Sequence, residues 1–245
     1  MLTSLTYLEV HALFVVPPLS ALVAAAGWRR DVDWRTGATG VAILAALAVL
    51  YTTPWDAMLI AQGVWWYGDS RVTGWLFGVP FGEFLFFGFQ TVLTGLWTLQ
   101  VAGPVVEAVG HSRRDRLVGA GAGLAVALVG LGLLGLAFTG DGSTLYLGAI
   151  LAWAGPVLAL QWGVGWRYLL AVRRRVALAV GVPTLYLWLV DSYAIADGVW
   201  VISTQYTTGL AVAGLPVEEM LFFLVTNCFV VQGLVLFRWV MERWR

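Results

Sequence analysis

The sequence contains no lysine, one cysteine and two histidines. Each shortage excludes a chemistry. Without lysine no Schiff base can form, so covalent retinal binding is excluded. Cys228 alone makes neither an internal disulfide nor an all-cysteine metal site. It lies in an apolar run, where it reads as a small core residue. His11 and His111 are too few for a multi-histidine iron site, and the aspartates are too scattered for a diphosphate–magnesium site. No Gly-x-Gly-x-x-Gly follows a strand, so no dinucleotide fold is expected. The nearest glycine pattern, GAGAG at 119–123, falls in an apolar run and reads as close helix packing. Charge is scarce too, at 11% of residues against about 25% in soluble domains. The formal net charge is zero, so charge alone suggests no nucleic-acid partner.

What is present is apolar length. Hydrophobic residues make up 60% of the 245. A membrane-spanning helix needs roughly 20 mostly apolar residues. Seven runs qualify: 5–27, 37–61, 79–102, 117–138, 145–168, 176–197 and 216–238. The expected class is an all-α membrane protein of seven helices, one domain over 1–245. The first run lacks a basic leader and carries Glu9 and His11 early, so it reads as a span rather than a cleavable signal. Arg29, Arg30, Arg35, Arg113, Arg114, Arg116, Arg167, Arg173, Arg174, Arg175, Arg238, Arg243 and Arg245 all fall on one side of such a bundle. Arg71 alone falls on the other. The positive-inside rule then predicts a cell-membrane protein with its N-terminus outside and its C-terminus cytoplasmic. The arginine clusters also suit anionic lipid headgroups.

The chain repeats itself. PFGEFLFF at 80–87 and PVEEMLFF at 216–223 agree at five of eight positions. Asp56, Gly63 and Trp65 recur 135 residues on as Asp191, Gly198 and Trp200. Tyr7-Leu8 and Pro17 are echoed by Tyr146-Leu147 and Pro156. Two three-helix repeats (1–102 and 141–245) joined by a linker helix (103–140) account for this. One extra crossing restores the second unit's orientation. Parallel repeats about an axis along the membrane normal are therefore expected.

That symmetry brings acidic residues together. Glu83 and Glu219 begin helices at the outer side, where Asp56 and Asp191 also arrive. Proline suits a first helical turn, and a first-turn glutamate faces the positive end of the helix dipole. Simple capping is therefore one reading. Glu218 and Glu219 point about 100° apart, so one can cap while the other faces inward. Ionisable groups within a span default to function, which is the second reading. Carboxyls in unlike environments divide into a proton donor and a proton acceptor. Trp55, Trp65, Trp66, Trp200 and the pairs Phe86-Phe87 and Phe222-Phe223 surround them. These rings suit either an interfacial belt or cation–π stabilisation of a carbocation. Glu9 and His11 can reach the same cavity. Gln90 and Asn227 can orient a carboxyl, or Asn227 can bond a neighbouring helix. Arg71 has an outer acid as its natural partner. An enzyme that protonates an alkene and later removes a proton fits these residues.

The duplicated Pro-x-(Gly/Glu)-Glu-x-Leu-Phe-Phe motif, its preceding aspartates and the three-one-three layout resemble the integral-membrane lycopene cyclase family. In that family, paired three-helix subunits form heterodimers, or are fused into one chain or joined to a phytoene synthase. The signature is Pro-x-Glu-Glu or Pro-x-Glu-Asp in each half. Pro216, Glu218 and Glu219 match it, whereas Gly82 replaces the first glutamate before Glu83. The resemblance implies cofactor-free conversion of the ψ-ends of lycopene to β-rings, through γ-carotene to β-carotene. An acid protonates C2, the C5=C6 bond attacks the C1 cation, and a base removes a proton from C6. Glu83, Glu218, Glu219, Asp56 and Asp191 are the implied catalytic set, with no metal. The implied partners are the carotenoid and the bilayer; the active form is open between monomer and homo-oligomer. The competing readings are a proton-coupled transporter or channel and a related carotenoid end-group-modifying enzyme. Proton flux separates the first of these from a cyclase.

Overall fold

The computed structural model describes residues 4–26, 33–101, 103–106 and 110–244. Gly27, Arg29, Arg30, Ala102 and Arg245, which enter the span and charge readings above, lie outside these. Seven helices are long and apolar enough to cross a membrane: α1 Tyr7–Ala26, α2 Trp34–Gln62, α3 Phe81–Val101, α4 Arg113–Thr139, α5 Leu145–Ala171, α6 Arg173–Ala196 and α7 Val217–Arg243. They are the seven expected runs, with ends shifted by a few residues. Most extensions are polar, because capping rather than hydropathy sets a helix end. Ser112 and Asp115, for example, form a capping box that starts α4 well before the apolar run.

Helix α1 is capped by Thr6, whose amide donates to Glu9 at 2.7 Å. One turn later the helix widens into a π segment, His11–Val15. Such a segment re-aims the side chains it carries.

Six short strands were not expected from the sequence. They are β1 Trp65–Tyr67, β2 Trp75–Leu76, β3 Val79–Pro80, β4 Trp200–Ile202, β5 Ala211–Val212 and β6 Leu215–Pro216. Each device that builds them occurs twice. Helices α2 and α6 end at Gly63 (φ 78°) and Gly198 (φ 71°), where a left-handed residue closes the last turn. The next amides, of Val64 and Val199, bond back to Leu59 and Ala194. Phe77-Gly78 and Ala213-Gly214 have positive φ at both turn positions. That is the two-residue hairpin geometry, and it joins β2 to β3 and β5 to β6. Pro80 and Pro216 therefore close strands ahead of α3 and α7, rather than sitting in the first helical turn. In an edge strand a missing N–H costs nothing.

Strands β1 and β4 pair antiparallel with Trp65 opposite Ile202, Trp66 opposite Val201 and Tyr67 opposite Trp200. Trp66 and Val201 are themselves 135 residues apart, so the register is symmetric about that pair. Arg71 adds a second tie. It lies 3.6 Å from Asp197, donates to the Leu5 carbonyl, and the Leu5 amide donates to Asp197. The expected acidic partner of Arg71 is thus Asp197.

Helix α4 packs chiefly on α5. Glycine permits the contact. A Cβ on Gly123 would lie 2.1 Å from the Ala159 amide, and one on Gly130 2.2 Å from that of Ala152. Gly119 and Gly123 thus bear out the close-packing reading of GAGAG, whereas a Cβ on Gly121 meets nothing within 4 Å. Gly123→Val is expected to destabilise by about 3 kcal/mol through overpacking against backbone. Gly121→Val serves as its near-neutral neighbour. Thermal unfolding of the two variants in detergent measures the difference.

Candidate active site

A cavity of about 60 Å³ lies inside the ends of α2, α3, α6 and α7 that carry the hairpins. Asp56, Glu83, Asp191 and Glu219 all line it. The four acids named from the repeat thus share one space. Among the described residues, no arginine lines it. Asp56, Asp191 and Glu219 are at most 6% exposed.

Hydroxyl and indole groups supply the missing positive partners. Tyr67 donates to Glu83 Oε1 at 2.7 Å and accepts from the Trp65 indole at 3.2 Å. Burial first, and then the Glu83 and Asp56 charges, push the Tyr67 phenol well above its ordinary range near 10. It stays a proton-bearing donor at any physiological pH. Tyr7 also hydrogen bonds to Glu83, and Tyr146 to Glu219. The Trp200 indole donates to Asp191 Oδ1 at 2.9 Å. Asp56 Oδ2 and Asp191 Oδ2 have no hydrogen-bond partner among the described residues.

Four carboxyls without a cation among the lining residues cannot all be ionised away from water. Each uncompensated charge costs several kcal/mol, and like charges add to this. The cluster therefore retains exchangeable protons.

His11 enters from the π segment. Its Nδ1 lies 2.8 Å from the Tyr7 carbonyl oxygen, which can only accept. Nδ1 therefore carries a proton, and in the neutral ring Nε2 presents a lone pair. Nε2 is buried without a partner, and His11 lines the cavity. Of the expected aromatic wall, Trp55, Trp65, Trp200, Phe86, Phe222 and Phe223 line the cavity.

Other expected residues lie elsewhere. Glu218 is fully buried but does not line the cavity. Its Oε1 accepts from the Thr208 amide and hydroxyl, both at 2.7 Å, and so anchors the loop between β4 and β5. The 100° step between adjacent helical positions sends it there. Glu9 is exposed and spent on the α1 cap. Trp66 is half-exposed on the outer face of β1, as strand alternation requires. Phe87 packs in the bundle core instead. Gln90 and Thr94 of α3 donate to Asn227 on α7 at 2.8 and 2.6 Å, and Asn227 donates to Thr184 on α6 at 3.0 Å. This knot joins three helices and touches no carboxyl. The alternative reading of Asn227 as an interhelical bond is the one observed.

Tyr67 was expected only as one of the outer aromatics, with Trp75, and Tyr7 and Tyr146 only as an echo between the halves. The Tyr7–Tyr146 echo carried the signal. Gly82 is explained by the first of them. A Cβ there would lie 2.5 Å from the Tyr7 ring, so the missing motif glutamate makes room for the tyrosine that bonds Glu83.

Comparison with known proteins identifies the family. The family model described as lycopene cyclase matches residues 5–101 and 143–237, which leaves out α4. The lycopene beta-cyclase of Halobacterium salinarum is 55% identical over 244 residues, covering 98% of this chain and 99% of that protein. The bifunctional lycopene cyclase/phytoene synthase of Pyrenophora tritici-repentis is 37% identical over 94% of this chain and 41% of its own length. That of Aspergillus oryzae is 32% identical over 94% of this chain and 39% of its own. No solved structure matches at a significant level. The motif-bearing stretches that build the acid cavity are covered by the family model, and with a relative alike from end to end, the chain belongs to the lycopene cyclase family.

Proposed function

We propose that this chain is a membrane-embedded lycopene β-cyclase, an isomerase that closes the ψ-ends of lycopene into β-rings without a cofactor. The observation that carries the reading is the cluster of four carboxyls, without a cation, in an aromatic cavity. The reaction adds a proton at C2 and removes one from C6, so it needs a donor, an acceptor and a dry space between them. A carboxylic acid of the cluster supplies the first proton. The C1 cation then lies among the Trp55, Trp65, Trp200 and Phe222 rings, each worth ~2 kcal/mol or more when desolvated. Attack of the C5=C6 bond moves the charge to C5. The His11 Nε2 lone pair or an ionised carboxylate takes the C6 proton, and the cluster returns it to the donor. Glu83 and Glu219 are the central pair, held by tyrosines; Asp56 and Asp191 share their protons. Glu218 acts as a loop anchor.

The twin hairpins, the αL caps and the symmetric β1–β4 register support two parallel repeats over 1–102 and 141–245, with α4 as linker. The arginines at the helix ends opposite the cavity, among the described residues Arg35, Arg113, Arg173 and Arg238, support a cytoplasmic C-terminus and an outer-leaflet cavity.

Pigment extraction from a lycopene-accumulating host tests the reading. Wild type should yield γ- and β-carotene. Glu83→Gln and Glu219→Gln should each lower conversion about 100-fold or more, the weight of a positioned acid or base. Glu218→Gln keeps the oxygen that Thr208 binds, so conversion should stay near wild type. Equal loss at 218 and 219 would overturn the division between anchor and acid. Unchanged lycopene with folded wild type would sink the cyclase itself. Gly82→Ala should lower conversion about tenfold by displacing Tyr7, since a small misplacement near the chemistry costs that much or more. In a Tyr7→Phe background the same change should cost less, which turnover of the double variant measures.

A further inference from the structure

A cavity of about 60 Å³ holds a few waters, not a C40 chain. If the cyclase reading holds, nearly all of the substrate must lie outside the acid cavity while one end reacts. One space continues from it. An apolar groove of about 620 Å³ runs between α2 and α5 over α7, and it shares Phe86 and Phe222 with the cavity wall. Two other cavities, one by Arg175 and Arg238 and one by Trp166 and Cys228, share no lining residue with it.

The groove is shaped for a rod. Along α7 its floor extends from Phe222 to Val240. At 1.5 Å per residue that is about 27 Å, close to the ~30 Å hydrocarbon thickness. Leu47 and Leu160 on its lips are 55% and 68% exposed, so it is open sideways where lipid lies. Its cavity end is clasped. The Tyr51 hydroxyl donates to the Trp153 carbonyl at 2.8 Å, and the Trp55 indole to that of Ala149 at 3.3 Å. Trp153 stacks beside Trp55 and Phe222, at 4.8 and 6.2 Å between centroids. This aromatic partition separates groove from cavity, with Phe86 and Phe222 belonging to both.

We infer that the groove is the seat of the conjugated polyene shaft, entered sideways from the bilayer, and that Phe86 and Phe222 form the aperture through which one ψ-end reaches the carboxyls. A rigid extended polyene loses little conformational freedom on lying there, and it faces the flat rings of Trp153, Phe222 and Phe229. The inference rests on the cyclase reading.

Two groove-filling variants far from the acids test it: Ala48→Trp on α2 and Val164→Trp on α5. Each is assayed in liposomes against lycopene and against a short ψ-ended polyene that extends no further than the aperture. Wild type should convert both. Each variant should lose tenfold or more on lycopene and keep its rate on the short substrate. Lycopene conversion at the wild-type rate in both variants would overturn the inference and leave the groove to bilayer acyl chains. A parallel loss on both substrates would overturn it too, because length would not matter. Failure of wild type on both substrates would instead count against the cyclase reading.

Discussion

The structure is governed by the cost of placing four carboxyl groups in hydrocarbon with no cation beside them. Water would solvate such groups, but a bilayer span has little. The protein answers with neutral donors: Tyr67 and Tyr7 at Glu83, Tyr146 at Glu219 and the Trp200 indole at Asp191. Neutral donors leave the carboxyls free to exchange protons, which an arginine would prevent by holding them ionised. Arg71, at the hairpin end of the bundle, is tied instead to Asp197 and Leu5, at the rim. Even the glycine that breaks the motif serves this arrangement, since Gly82 yields its volume to a tyrosine ring.

Placing those donors depends on chain reversals at the membrane surface. Each half ends a helix with a left-handed glycine, runs a three-residue strand, and returns through a two-residue hairpin into the glutamate-bearing helix. The pairing of β1 with β4 joins the halves and sets Tyr67 opposite Trp200. The aligned side chains then reach one space from both sides. Below it, Asn227 bonds α3 and α6 at once and fixes the depth at which the helices meet.

Much of this was legible in the sequence, for identifiable reasons. Seven spans follow from apolar run length, because a bilayer imposes one length on every helix. Asp56, Glu83, Asp191 and Glu219 were legible because an acid in an apolar run is rare and the duplication marked each twice. The small strands were not, since two or three residues carry no periodicity. Their turn signals, Phe77-Gly78 and Ala213-Gly214, sit inside long hydrophobic stretches. Which of Glu218 and Glu219 lines the cavity was not legible, because the 100° step between them says only that they diverge. Tyr67 was hidden among interfacial aromatics, and only tertiary pairing separates it from exposed Trp66 next door.

The near-symmetry of the cavity has a consequence through its exceptions. Where the first half places His11 and Tyr67, the 139- and 135-residue spacings put Ile150 and Ile202 in the second. The first half thus carries two polar groups at the site, His11 and Tyr67, that the second half lacks. A site made of two identical halves would treat forward and reverse proton traffic alike, with donor and acceptor interchangeable. These unmatched groups give the cavity a polarity. Under the proposed cyclase chemistry, that asymmetry would let one side of the cavity specialise in delivering a proton and the other in collecting it.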